Sequence, residues 1–411
     1  MKTLIIKIAF ICVLTITIIG CQSTKVSNTA GIEITKSQNF TFNTEATFRP
    51  LTELRSQPLP FEYSEKIPEW HYEYYPVWSR LKKVEGGTAL KRNHGLFTVE
   101  WQKIYNNAQR AYVTNNTRLA MFTIDTLYQA AENDALLDTI GARSAYGMGC
   151  WGRGASGSCP FHHSSTASEF FINSAHSAIL VQSWLKTKPA VKAKIDKWLD
   201  KGYEKFVKGV ADLNGTGPNG GLYEYMNGKS GVLIYAIYKN DPELFLKYAI
   251  KGIAQINQHM DQDGYIFSNS WRGVRSIWYH SLGVDSIFGF GELLETQGIV
   301  FYDHPLLKDK LRKSYIEALK GSDDPYLFEA KGYRGSNYTK VESKARRFLH
   351  QDAGALQWIG AWRYPDVGQK YLPDIFDSVI GIFPNYIYAD RKAQLKQRVW
   401  EKARIGKNTE R

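Results

Sequence analysis

The chain has 411 residues, with 52 Lys+Arg against 40 Asp+Glu and a formal charge of +12. At 43% hydrophobic and 22% charged residues the composition is globular, which excludes wholesale disorder. Four cysteines exclude a disulfide-built scaffold, and no run of about 18 apolar residues in the body provides an internal membrane span.

Residues 1–20, MKTLIIKIAFICVLTITIIG, have the form of a secretory signal. Lys2 and Lys7 supply the basic start, and Ile8 to Ile19 the apolar stretch. Ile18-Ile19-Gly20-Cys21 then resembles a bacterial lipobox, in which the Cys is acylated. The expectation is a lipoprotein anchored to a membrane through Cys21, with its body on the periplasmic or cell-surface side. Removing the signal takes two lysines and no acid, leaving +10.

Residues 21–47 are rich in Ser, Thr and Asn and predict a flexible tether. The body, 48–411, has no later low-complexity break and is expected to be a single domain. Cys12 leaves with the signal, so Cys150 and Cys159 remain, nine apart in GCWGRGASGSCPFHH. A disulfide-closed loop in an oxidising compartment fits this spacing. Zinc is the alternative, because His162 and His163 follow, but no second CxxC or HxxxH completes a site. The reading requires no metal and no cofactor.

Apolar residues recurring at three and four predict helices over 98–113, 115–138, 166–187, 189–213, 222–240, 242–260, 272–297, 304–320, 351–363 and 391–404. Pro189 and Pro242 mark first turns, and Thr166 with Glu169 three on forms a candidate capping box. Short turns such as KND at 239–241 and DQDG at 261–264 join them. A mostly all-α array of antiparallel hairpins is expected, with a few short strands. An array of this length can close as an α/α toroid around a groove. The Lys-rich stretches 186–208 and 307–313 read as solvated helix faces.

The stretch MDQDGYIFSNSWRGVRSIWYHSLGVDSIFGFGELLE, 260–295, carries the chemistry. On a helix Arg272 and Tyr279, seven apart, face the same way within about 20°, and Arg275 lies on the same side. Two guanidinium groups beside one phenol suit proton transfer next to an anion. The plain alternative is arginines stacked on Tyr at a helix start.

RGVRSIWYH resembles the RGxRxxxYH pattern of alginate-lyase-like polysaccharide lyases, and the preceding DxDG turn is similar too. The resemblance covers roughly 220–300. It implies an α/α toroid and a site built from an Arg, a Tyr and an upstream Asn, here Arg272, Tyr279 and Asn227. Many relatives have His after that Asn. This chain has Gly228.

Such lyases remove the proton at C5 of a uronate and expel the C4 oxygen. A donor such as Asn227, aided by Arg272 or Arg275, holds the charge that develops on the carboxylate. On a syn substrate one Tyr both takes and returns the proton, and a nearby Arg favours phenolate. The absent His leaves the second base open. His176 is the first choice, because Asn173 shares its helix face, and His163 is the next. His280, Asn173 and Trp271 are further substrate-binding choices, with Trp151, Trp278 and Tyr225 able to stack on sugar rings or fill the core.

The expected substrate is an acidic polysaccharide (alginate, glucuronan or sulfated ulvan), which the positive charge favours. No nucleic-acid motif and no obligate protein partner is evident. The rivals are an α/α toroid glycoside hydrolase, for which Glu169, Glu224, Asp261 and Asp263 are available, and a non-catalytic glycan-binding lipoprotein.

Overall fold

The computed structural model describes residues 24–27, 32–36, 42–44, 83, 104–105, 107–112, 114–146, 160–213, 222–267, 276–323, 359–360 and 363–368. Its main helices are α1 (Thr117–Glu132), α2 (Pro160–Leu180), α3 (Pro189–Gly202), α4 (Leu222–Lys239), α5 (Pro242–His259), α6 (Ser276–Thr296) and α7 (Lys308–Asp323). Among the described residues, none is long and apolar enough to cross a membrane.

The helices pair as hairpins, α2 with α3, α4 with α5, and α6 with α7. Within each pair one helix is inner and one outer, and sequence decides which. The inner helices α2, α4 and α6 have few charged residues and are buried almost all round. The outer ones keep a charged face toward water. In α5, for example, Phe245, Tyr248, Ala249, Ile253 and Ile256 point inward at helical spacing. α4 sits between α2 and α6 and packs on both more extensively than any other pair of helices.

Helix starts follow the sequence signals where these are unambiguous. Pro242 opens α5 after Asp241, whose carboxylate accepts from the Leu244 N–H at 2.9 Å. α2 is different. It begins at Pro160 rather than Thr166, so the Thr166–Glu169 pair lies inside the helix and caps nothing. α3 runs on through a π turn, Tyr203–Val207, to Lys208–Ala211. That turn stacks Tyr203 on Tyr235 (3.8 Å) and Phe206 on Phe171 (5.5 Å).

Outer-wall polar groups fasten α3 to its neighbours. Tyr235 donates to Asp200 (2.5 Å), Tyr238 to Asp196, and Tyr248 to Asp212 (2.7 Å), while Lys239, Lys192 and Lys251 pair with the same three acids. Many lysines of the basic stretch thus lie on solvated faces.

The DQDG turn closes through Asp261, whose Oδ1 accepts from the N–H groups of Asp263 (2.9 Å) and Tyr265 (2.8 Å). Gly264 there has φ +85, and a Cβ would lie 2.3 Å from the Ser314 nitrogen of α7. Only glycine meets both demands.

The tether reading of 21–47 is corrected where the chain is described. Thr24–Ser27 and Glu33–Lys36 form an antiparallel hairpin, with Val26 opposite Ile34. Ile32 and Ile34 are buried in the main core. Further on, Phe42 packs edge-on against Phe245 (5.3 Å), and Asn43 exchanges two hydrogen bonds with Gln297, both 2.9 Å. These few apolar side chains dock against helices far along the chain, which local composition does not register.

Candidate active site

Two inner helices bring their first turns together. In α4, Tyr223, Glu224 and Asn227 fall within the first six residues, and in α6 Tyr279 is the fourth. The Tyr223 and Tyr279 rings lie 5.8 Å apart at 39°. The Tyr223 hydroxyl donates to Glu224 Oε1 at 2.8 Å. Tyr223, Glu224 and Tyr279 are all partly exposed in a region where most neighbours are buried.

Asn227 lies one turn beyond Tyr223, so its amide points the same way. It is 7% exposed, and among the described residues nothing hydrogen-bonds its side chain. An amide in that state has its donors free for a ligand. Gly228 then has a packing reason. A Cβ there would lie 2.6 Å from the Ala211 nitrogen, against backbone. Lys229 follows, buried, and donates to the Ala211 carbonyl at 2.8 Å. The close crossing with the end of the α3 segment therefore leaves no room for the His that the resemblance expects after Asn227.

α2 packs against α4. Glu169 is the only charged residue among its 21 and is partly exposed. The carbonyl of Glu169 accepts from the Asn173 side-chain amide at 2.8 Å. Burial first, and the charge of Glu224 second, push the Glu169 carboxyl up to about 7. Glu224 is likewise the only acid of α4. Sequence reading offered Glu169 and Glu224 only as acids for the hydrolase rival, and Tyr223 not at all. The signal that finds two of them is that each is the sole acid of a nearly uncharged inner helix.

The histidines divide differently from expectation. His176 is 0% exposed, its ring 4.7 Å from the buried Tyr105, and burial pushes it down to about 3. It is a neutral core group, two turns from Glu169 along α2. His280 is also fully buried. Its Nε2–H donates to the Ser314 carbonyl of α7 (3.1 Å), and burial pushes it down to about 4. His280 thus faces α7, away from Tyr279, and its expected contact with substrate is corrected to a packing role. Asn173 is buried with its amide bonded within its own helix, which removes it from the groove surface. His163 is buried on the first turn of α2. Tyr225 is buried and belongs to the core.

Arg272, Arg275, Trp271, Trp151, Cys21, Cys150, Cys159 and the predicted helix 391–404 lie outside the described residues, as do the side chains of Trp278 and His162. Among the described residues no group of three or more His, Cys, Asp or Glu could hold a metal ion.

Solved structures share this architecture. Alginate lyase A1-III from Sphingomonas species A1, at 1.78 Å resolution, matches with a TM-score of 0.56 and 14% identity, over 80% of this chain and 90% of that one. The fold is alginate-lyase-like. A Tyr-to-Phe variant of alginate lyase A1-III complexed with a tetrasaccharide matches with the same TM-score, 0.56, at 14% identity over 80% and 90% of the two chains. A His-to-Ala variant, also complexed with a tetrasaccharide, gives 0.53 at 14% identity over 80% and 89%. No protein-family model and no curated protein matches the sequence. The α/α toroid expected is thus the architecture present, with Tyr279 and Asn227 on its inner helices.

Proposed function

We propose that the protein is a polysaccharide lyase that cleaves a uronate-containing polymer by β-elimination, leaving an unsaturated uronate end. The observation that carries this reading is the approach of the partly exposed Tyr279 to Tyr223, 5.8 Å between rings, with the Asn227 amide one turn along α4 from Tyr223. Asn227 binds the uronate carboxylate and stabilises the charge that grows on it as C5 is deprotonated. Tyr279 takes that proton, assisted by Arg272 and Arg275, to which the resemblance of RGVRSIWYH assigns that part. The alginate-lyase-like fold, and the tetrasaccharide complexes of its structural neighbours, support a sugar polymer as ligand.

Alginate, glucuronan and sulfated ulvan all have the required carboxylate. Export through residues 1–20 and acylation of Cys21 place the enzyme on a membrane outside the cytoplasm in this reading, where such polymers are met. Cys150 and Cys159 form a disulfide in the same reading.

The decisive experiment is product absorbance on a polysaccharide panel. Elimination makes a conjugated unsaturated uronate that absorbs in the ultraviolet, and hydrolysis does not. A second reading, glycoside hydrolysis, has the Glu169–Glu224 pair in its favour, because a carboxyl raised beside a carboxylate suits acid catalysis. New reducing ends without absorbance would establish that reading instead.

A further inference from the structure

Contacts at the two ends of the inner helices give the body a polarity. Tyr223 and Tyr279, near the starts of α4 and α6, have their rings 5.8 Å apart. The finishing ends are tied together by three consecutive residues of the early chain. Phe42 packs on Phe245, just past the end of α4, at 5.3 Å. Asn43 exchanges two hydrogen bonds with Gln297, the residue after α6, both 2.9 Å. The Thr44 carbonyl accepts from the Gln182 side chain, just past the end of α2, at 2.5 Å. This strap therefore crosses the finishing end of all three inner helices. Gln297 follows Tyr279 by 18 residues, roughly 27 Å along a helix axis. The candidate site and the strap lie at opposite ends of the body.

The start of the chain belongs to the strap end. The hairpin register sets Thr24 opposite Lys36 at its open end, and Lys36 comes six residues before Phe42, a reach of about 20 Å at most. Ile32 and Ile34 seat the hairpin in the main core. Cys21 precedes Thr24 by three residues, which span ~10 Å when extended. A free tether over 21–47 would instead reach ~90 Å. The surface at this end is also distinctive. Of the four large apolar side chains exposed among the described residues, Val300 (38%) and Leu306 (42%) both lie in the connection after Gln297, between α6 and α7. Their neighbours Ile299, Phe301 and Leu307 are buried, so the connection is held in the core and presents these two outward.

We infer that the acylated protein sits directly on its membrane, with the strap end and the Val300–Leu306 connection against the lipid. The Tyr279 end then faces away and receives polymer from the surroundings rather than from the membrane itself. The inference rests on the reading of Cys21 as the lipid anchor. Exposed charges at the strap end are of both signs, Lys186 and Lys308 against Asp303 and Asp309, so charge does not supply the contact. A short lead from the acyl chains and the apolar side chains do.

The test uses the full chain, lipidated in a bacterial host and reconstituted into vesicles of phosphatidylethanolamine and phosphatidylglycerol that contain a headgroup-nitroxide lipid. A fluorophore is attached at Leu306→Cys and, separately, at Gln262→Cys in the exposed DQDG turn, which follows α5 at the end far from Phe245. Val300→Cys repeats the first position should Leu306→Cys misfold, and wild type treated with the fluorophore gives the background of native thiols. Expected are loss of most of the emission at 306 or 300 and its retention at 262. A linker of about 20 Gly and Ser residues inserted after Gln22, with an r.m.s. span of ~25 Å, should restore the emission at 306. Equal quenching at the two ends, or stronger quenching at 262, would overturn the orientation with the anchor intact. A 306 signal unmoved by the linker would overturn the part given to the short lead. Mass spectrometry of the N-terminal peptide reads the anchor separately: an unacylated Cys21 and protein free of the vesicles would remove the anchored reading, and the orientation with it.

Discussion

The Arg363 guanidinium meets the Glu292 carboxylate in two hydrogen bonds, from Nε at 2.8 Å and from Nη2 at 3.0 Å. Glu292 is fully buried on α6, and the guanidinium carbon stands 4.3 Å over the Tyr302 ring. This pair fastens the segment at 363–368 to an inner helix. Removing one partner leaves a buried charge alone, so Arg363→Ala should destabilise by about 3–5 kcal/mol. Urea unfolding measures it, and a midpoint equal to wild type would show the pair to be dispensable.

Tyr279→Phe keeps the ring and its packing on Tyr223 but removes the proton carrier. Turnover should fall by at least ~10². Asn227→Ala should lose most of the rate, and Arg272→Lys should be impaired through loss of the planar fork. Circular dichroism establishes that each variant folds. Near wild-type elimination by folded Tyr279→Phe would move the proton transfer to another group.

Gly228→Ala places a methyl group against the Ala211 backbone. The crossing must open, and a loss of about 1–3 kcal/mol is expected for overpacking, with a larger one for Gly228→His. Thermal melts of the two variants should rank in that order. A His variant as stable as wild type would mean that the crossing yields easily.

Burial first, and Lys251 second, push the Lys229 ammonium down to about 7, against the attraction of Asp212. The unfolded chain then binds more protons than the native state between about pH 7 and 10.5, so stability rises with pH across that window. The slope approaches about 1.4 kcal/mol per pH unit. Lys229→Met has no such slope, and its advantage over wild type should shrink from pH 7 to pH 10. Parallel profiles would contradict the burial argument.

Glu169 titrates with the opposite sign. Its carboxyl is raised from 4.5 to about 7, so the native state holds the extra proton and wild-type stability falls with pH between those values. Glu169→Gln should melt higher than wild type at pH 8 and gain less at pH 4.5. No gain at pH 8 would mean that the Glu169–Glu224 repulsion is relieved in the native fold.

The attraction of a chain with a formal charge of +12 for a polyanion is screened over about 8 Å at 0.15 M salt. Turnover on polymer should fall steeply as salt rises. A flat salt profile would argue for a neutral substrate.

Periodicity and proline placement made the helical array legible. Pro189, Asp241 and Pro242 put starts within a residue or two of those present. The beginning of α2 was hidden by a capping pattern, Thr166 to Glu169, that matches in sequence and sits mid-helix in space. A motif singled out Tyr279 and Asn227, but the burial of the histidines was not legible. A side chain one residue from Tyr279, His280, points 100° away and ends in the core. The π turn at 203–207 has no sequence cue and shows only as the stacked rings it produces.

The hydrogen bonds between Asn43 and Gln297 join residues 254 apart in the chain. During synthesis at ~5–20 residues per second, Asn43 waits roughly 13–50 s for its partner to emerge. The strap at 42–44 belongs to the first part of the chain made, and its partners Gln182, Phe245 and Gln297 come from segments made progressively later. A chain stopped short of Gln297 keeps α1 to α6, with Phe245 for Phe42 and Gln182 for Thr44, but lacks the partner of Asn43. The final hydrogen bonds of the strap, at Asn43, therefore form only once α6 is complete. Protease resistance near Phe42, followed on nascent chains of increasing length, would time that event.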